Sequence, residues 1–151
     1  VFWYPLDPNK SYVKRVIGMP GDTVAMLAGH VTVNGRPLDE PYAQRTDPAH
    51  DLADMQFGWQ REYLADPSPD VRRRYHPTRD TWGPLVVPLA HYFVLGDNRD
   101  NSADSRYWGF VDRAAVKGQP LVVYFSYDRE TGDPLSWLTD IRWSRLGSLI
   151  T

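Results

Sequence analysis

Glycine and proline break this chain at short intervals, 11 and 13 times in 151 residues, and such punctuation suits short strands joined by turns better than a helical protein. Between the breaks lie runs rich in Val, Ile and aromatic residues, side chains that fit a pleated, half-buried surface. Ser11-Tyr12-Val13-Lys14-Arg15-Val16-Ile17 reads as one strand, stopped by Gly18-Met19-Pro20-Gly21-Asp22. Residues 23–28 read as extended. His30-Val31-Thr32-Val33-Asn34-Gly35-Arg36 reads as a hairpin, Val31 and Val33 alternating with polar neighbours and Asn34-Gly35 forming a two-residue turn. Leu85-Val86-Val87-Pro88 and His91-Tyr92-Phe93-Val94-Leu95 are strand-like, and the apolar run Leu121-Val122-Val123-Tyr124-Phe125-Ser126 has the pattern of a buried strand. Residues 112–116 predict one helical turn with Asp112 as its cap.

Residues 41–84 differ from their surroundings. Six prolines, scattered aromatics and the cluster Arg72-Arg73-Arg74 leave no sustained period of two or 3.6, although residues 51–65 have room for a short helix. Phe57, Trp59, Tyr63, Tyr75 and Trp82 favour packing over disorder. The expected architecture is mainly β: an antiparallel, partly barrel-like core built from residues 1–40 and 85–151, with 41–84 as an irregular inserted subdomain. The arginine cluster is expected to be a solvated face.

Several function classes fall away on composition. Hydrophobic residues at 42% and aromatics at 13% suffice for one core. Seventeen basic against nineteen acidic residues, a net charge of −2, offer no general nucleic-acid surface. The absence of Cys excludes disulfides, thiolate metal sites and a Cys nucleophile. His30, His50, His76 and His91 lack metal-ligand spacing, and no cofactor is expected. No uninterrupted apolar run exceeds five residues, too short to span a bilayer. The opening Val1-Phe2-Trp3-Tyr4-Pro5 reads like a strand entered midway, so a truncated start is expected. Trp3, Trp137 and Trp143 are candidates for a membrane-facing surface, with burial in the core as the equal alternative.

Two segments could carry chemistry. Lys14 lies among Tyr, Val and Ile. Its side chain points either to solvent or into apolar surroundings, where burial would lower its pKa and supply a neutral amine as general base. The second segment, Gly96-Asp97-Asn98-Arg99-Asp100-Asn101-Ser102-Ala103-Asp104-Ser105-Arg106, is too polar for a core strand. Its Asp and Asn side chains build tight turns, and its Asp and Arg side chains can form a charge-assisted network. A calcium loop is a competing interpretation, weakened by the missing central Gly and terminal Glu. Another makes Ser102 or Ser105 a nucleophile or the orienter of a base.

Taken together, the stretch from Tyr12 to Asp22 and the stretch from Gly96 through Tyr107-Trp108-Gly109-Phe110-Val111 resemble type I bacterial signal peptidase. Members are membrane-anchored serine proteases that remove signal peptides from exported preproteins on the periplasmic side of the inner membrane. The resemblance implies a Ser/Lys mechanism. Lys14 falls at the general base and Ser102 at the hydroxyl that orients it. Arg15, Asp97, Asp104 and Arg106 fall in a supporting ion-pair network. Tyr12 and Val13 fall where members line a peptide cleft selective for Ala-x-Ala. It also implies a departure, because the family's nucleophilic Ser lies upstream in a Ser-Met-x-Pro-type motif, and its oxyanion-hole donors come from that same segment. The chain alone is therefore expected to be inert and, with an uncovered sheet edge and cleft, to self-associate. A self-contained hydrolase using Ser102 as nucleophile and a non-catalytic β-rich binding module are the alternatives.

Overall fold

The computed structural model describes residues 1–119. The chain divides into two units, Val1–Lys117 and Gly118–Thr151, and every described strand and helix belongs to the first. The strand expected at 121–126, Trp137 and Trp143 lie outside the described residues.

The unit is mainly antiparallel β. Strands β1 (Phe2–Tyr4) and β2 (Asp7–Tyr12) form a hairpin. A second sheet has the order β3-β8-β9, from Arg15–Gly18, His91–Leu95 and Val111–Asp112. The third has the order β6-β5-β4-β7, from Arg36–Pro37, His30–Val33, Thr23–Leu27 and Trp82–Val86. Among the described residues these sheets stay open, without closure into a barrel.

The turns explain the third sheet. Asn34 and Gly35 both take positive φ, +52° and +73°, which matches the right-handed twist of the flanking strands in a two-residue hairpin. A second such pair, Ala28 and Gly29, joins β4 to β5. It escaped the sequence because Ala is not a residue that marks the left-handed region.

One expected strand is two. The run from Ser11 to Ile17 breaks after Tyr12, whose partner is Phe2 in the first sheet, and resumes at Arg15, whose partner is Leu95 in the second. Val13 and Lys14 form the corner between sheets. β propensity reports fitness for a pleated surface and is silent about which surface.

The helical segments are short. Residues 51–65 hold a 3₁₀ segment, Met55–Tyr63, with Asp54 accepting from the Gln56 amide at 2.8 Å as its cap. Helix α1 (Pro69–Arg74) carries Arg72, Arg73 and Arg74 exposed to solvent. Helix α2 (Ser105–Trp108) follows the polar loop, and a last 3₁₀ turn, Arg113–Ala115, is capped by Asp112.

The main core gathers Ile17, Val24, Met26, Val31, Leu64, Trp82, Leu85, Val87, Phe93 and Leu95. A smaller one joins Phe2, Val94 and Val111, with Tyr12 and Trp108 against it. Phe93 and Leu95 enter the first and Val94 the second, so β8 is covered on both faces. The polar loop thus departs from a strand fixed by packing on two sides.

Candidate active site

The corner residue Lys14 and the loop after β8 meet. Lys14 Nζ donates to Ser102 Oγ at 2.7 Å across 88 residues of sequence. Burial lowers the Lys14 pKa below its ordinary value. Asp104 opposes that fall, Arg106 reinforces it and Asp97 opposes it. A half-buried amine with its proton loosened, held against a hydroxyl, is the arrangement a general base requires.

Gly96 makes the contact possible. A Cβ at this position would sit 2.1 Å from Ser102 Oγ, 2.6 Å from Ser102 Cβ and 3.2 Å from Lys14 Nζ. Only the lack of a side chain lets the hydroxyl and amine pass in front of this backbone. Sequence reasoning missed the role of Gly96; its place directly after an apolar strand and before Asp97 was the available signal.

Gly96→Ala is expected to push Ser102 away by about 1 Å, because carbon contacts settle near 3.5 Å or more. The Lys14–Ser102 hydrogen bond should then be lost, at an overpacking cost of about 1–3 kcal/mol. A crystal structure of the variant checks this, and a preserved 2.7 Å contact would show that the loop has room to spare.

The remaining residues fall into two pairs. Arg15 grips Asp97 with two hydrogen bonds of 2.9 Å, and its guanidinium lies 3.7 Å from the Tyr42 ring centroid. This pair is partly exposed and fixes the start of the loop. Asp104 and Arg106 are fully buried and joined at 2.9 and 2.8 Å. Asp104 also accepts from the Gly96 amide at 3.0 Å and caps α2 through the Arg106 amide at 3.2 Å. The Arg106 guanidinium donates to the Arg99 carbonyl at 2.6 Å. Arg106 thus ties the chain on both sides of Ser102.

Tyr12 stacks on Tyr4 with centroids 4.4 Å apart, and Lys14 Nζ stands 5.7 Å from its ring centroid. Val13 is exposed. Beside Ser102 opens a cleft of ≈ 290 Å³, lined by Tyr4, Leu6, Asn101, Ala103 and Trp108 among others. Ser11, the other serine near the corner, has its Oγ 3.1 Å from Lys117 Nζ instead. Ser105 Oγ is buried and accepts from the Val94 amide at 2.9 Å.

The loop's acidic residues each face an arginine: Asp97 faces Arg15, Asp100 faces Arg79 and Asp104 faces Arg106. Among the described residues no group of three or more His, Asp or Glu could hold a metal ion. Nor is any described helix long and apolar enough to cross a membrane. Sequence reasoning also missed Glu40, which pairs with the fully buried Arg99 from 59 residues away.

Residues 1–125 match the family model described as signal peptidase, peptidase S26. A signal peptidase I of Leptolyngbya laminosa is 36% identical over 131 residues, covering 85% of this chain and 49% of the relative. One of Pseudomonas aeruginosa is 37% identical over 141 residues, covering 84% and 48%. The chain spans about half the length of the curated relatives it matches. A crystal structure of a signal peptidase I from Enterococcus faecalis superposes with a TM-score of 0.49 at 34% identity, covering 78% of this chain and 87% of that one.

Proposed function

The chain belongs to the signal peptidase family, peptidase S26, and on that footing we propose that it forms part of a serine endopeptidase cleaving signal peptides from exported preproteins after Ala-x-Ala sites. The observation that supports this most is the 2.7 Å hydrogen bond between Lys14 Nζ and Ser102 Oγ, made by a lysine whose burial disfavours its charge. In the proposed reaction neutral Lys14 takes the proton of a nucleophilic serine as its oxygen adds to the scissile carbonyl. It returns that proton to the departing amine, and water then releases the acyl enzyme by the same route. Ser102 orients the amine. Arg15, Asp97, Asp104 and Arg106 hold the loop, and Tyr12 and Val13 border the peptide.

In this scheme the nucleophile is the serine of a Ser-Met-x-Pro motif, which these 151 residues do not contain. We assign neither Ser102 nor Ser11 to that role, and the 151-residue chain by itself is proposed to be inactive and to self-associate through its exposed apolar side chains. Val13, Val16, Met19 and Leu6 are among these. Residues 41–84 are read as an insertion into the β unit, returning to its core sheet where β7 begins at Trp82. The site of action is the outer face of the bacterial cytoplasmic membrane, with Trp3, which is 41% exposed, on the side toward the lipid.

Ser102→Ala, made in the polypeptide that supplies the Ser-Met-x-Pro serine, is expected to lower kcat by about 10- to 10³-fold, as loss of one orienting hydrogen bond does. KM for an Ala-x-Ala peptide should hold. Turnover by the 151-residue chain itself, abolished by this substitution, would instead make Ser102 the nucleophile and sink the proposal.

A further inference from the structure

We propose that the 41–84 segment is the brace that holds Ser102 against Lys14, with Gln60 as its principal positioning residue. This rests on the base-and-orienter roles given to Lys14 and Ser102. Gln60 is a fully buried amide on the 3₁₀ segment, and both ends of its side chain are used. Gln60 Nε2 donates to the Arg106 carbonyl at 3.2 Å, beside Trp59 Nε1, which donates to the same oxygen at 3.1 Å. Gln60 Oε1 accepts from the Tyr75 hydroxyl at 2.6 Å, and that hydroxyl accepts from the Gly83 amide at 2.7 Å. The relay therefore starts at strand β7 and ends on the first turn of α2.

Its direction is fixed by chemistry. Burial pushes the Tyr75 phenol up to about 12, so it keeps its proton and remains a donor to Gln60. A primary amide is the side chain that can accept from a phenol at one atom and donate to a carbonyl at another. Arg106 then transmits the position, since its guanidinium holds the Arg99 carbonyl and Asp104 on either side of Ser102.

Other contacts from the same segment grip the loop elsewhere. Gln44 exchanges backbone hydrogen bonds with it, its amide to the Asp97 carbonyl at 2.7 Å and its carbonyl from the Arg99 amide at 2.8 Å. The Asp47 amide donates to Asp100 at 2.6 Å. Arg79 lies 3.4 Å from Asp100 and lends its carbonyl to Arg106 at 3.4 Å. The loop ties itself through Gly96, Arg99, Asp104 and Arg106, and these bonds from outside it add the constraint that fixes its place.

Lysine titration tests the brace. The chain has three lysines, Lys10, Lys14 and Lys117, so side-chain carbon labelling resolves Lys14 in the 151-residue protein. The groups acting on its ammonium are Asp104, Arg106 and Asp97, with the Ser102 hydroxyl and the Tyr12 ring beside it. Gln60→Leu should let the loop swing and admit water, moving the Lys14 midpoint up toward the ordinary lysine value. In the serine-bearing polypeptide kcat should fall about tenfold with KM unchanged, as expected for a misplaced orienter. Tyr75→Phe removes one hydroxyl and keeps the ring, and should move Lys14 the same way by less. It serves where Gln60→Leu does not fold. An unchanged Lys14 midpoint in either folded variant overturns the brace. The titration needs no turnover, so it decides the matter even where Lys14→Met and Ser102→Ala leave cleavage untouched.

Discussion

In the polypeptide that supplies the Ser-Met-x-Pro serine, Lys14→Met is expected to lower kcat/KM for an Ala-x-Ala peptide by about 10⁴-fold, the upper range for a general base acting on a hydroxyl nucleophile. Methionine keeps an unbranched apolar body, one atom shorter, and removes the basicity, so the fold should survive. The pH dependence of the unsubstituted enzyme carries the same information. Burial lowers the Lys14 pKa. The neutral, proton-accepting form therefore grows as pH rises through that lowered value, and kcat should climb along an ascending limb placed below the ordinary range of lysine. On the proposed mechanism acid should silence the site, because the ammonium cannot accept a proton. Steady-state cleavage across pH checks both statements; wild-type rates in Lys14→Met would remove the base from the mechanism.

Asp104→Ala should produce the largest loss of stability, about 3–5 kcal/mol, since it takes from a buried arginine its hydrogen-bonded counter-charge and leaves Asp80, at 4.0 Å, as the nearest remaining carboxylate. Asp104 and Arg106 side chains are both 0% exposed. The carboxylate also satisfies the Gly96 amide and the α2 cap, and each buried donor left without a partner adds its own desolvation cost. Against a typical total of about 5–15 kcal/mol this threatens folding outright. Asp104→Asn keeps the shape and one acceptor, and should lose less. Denaturant midpoints for the two variants give the comparison, and equal midpoints would mean that the lost charge, and not the hydrogen bonds that Asn can keep, accounts for the whole effect.

Local rules made part of this molecule readable. The Asn34-Gly35 hairpin, strand β8 and the Asp112 cap all follow from neighbours in sequence, and all three are present. The oddness of the loop from Gly96 to Arg106 marked it as a network. Its depth was not legible: Arg99, Asp104, Ser105 and Arg106 are 0% exposed, where composition suggests a solvated turn. Their partners explain why. Arg99 is neutralised by Glu40, and Arg106 is held by Gln60, Trp59 and Arg79, residues that no local pattern associates with the loop. The corner at Val13–Lys14 was hidden for a related reason, because two short strands in different sheets can share one continuous run of β-favouring residues. Lys14 meets Ser102 only because the chain turns there.

The hydrogen bonds from Val94 and Gly96 have a consequence for how this surface meets other polypeptides. Among the described residues, β8 is paired with β3 on one side, and on the other β9 covers only His91 and Tyr92. Beyond that point the outward amides of Val94 and Gly96 are taken by Ser105 Oγ and Asp104 Oδ2. Side chains thus occupy the rung positions that an extra strand would need, and the ladder ends without an open edge. A preprotein, or a second copy of the chain, finds no template for strand addition along this stretch. Its amides should also resist exchange with deuterated water until the loop lifts away. The polar motif is thereby a stopper for the sheet as well as a holder for the serine.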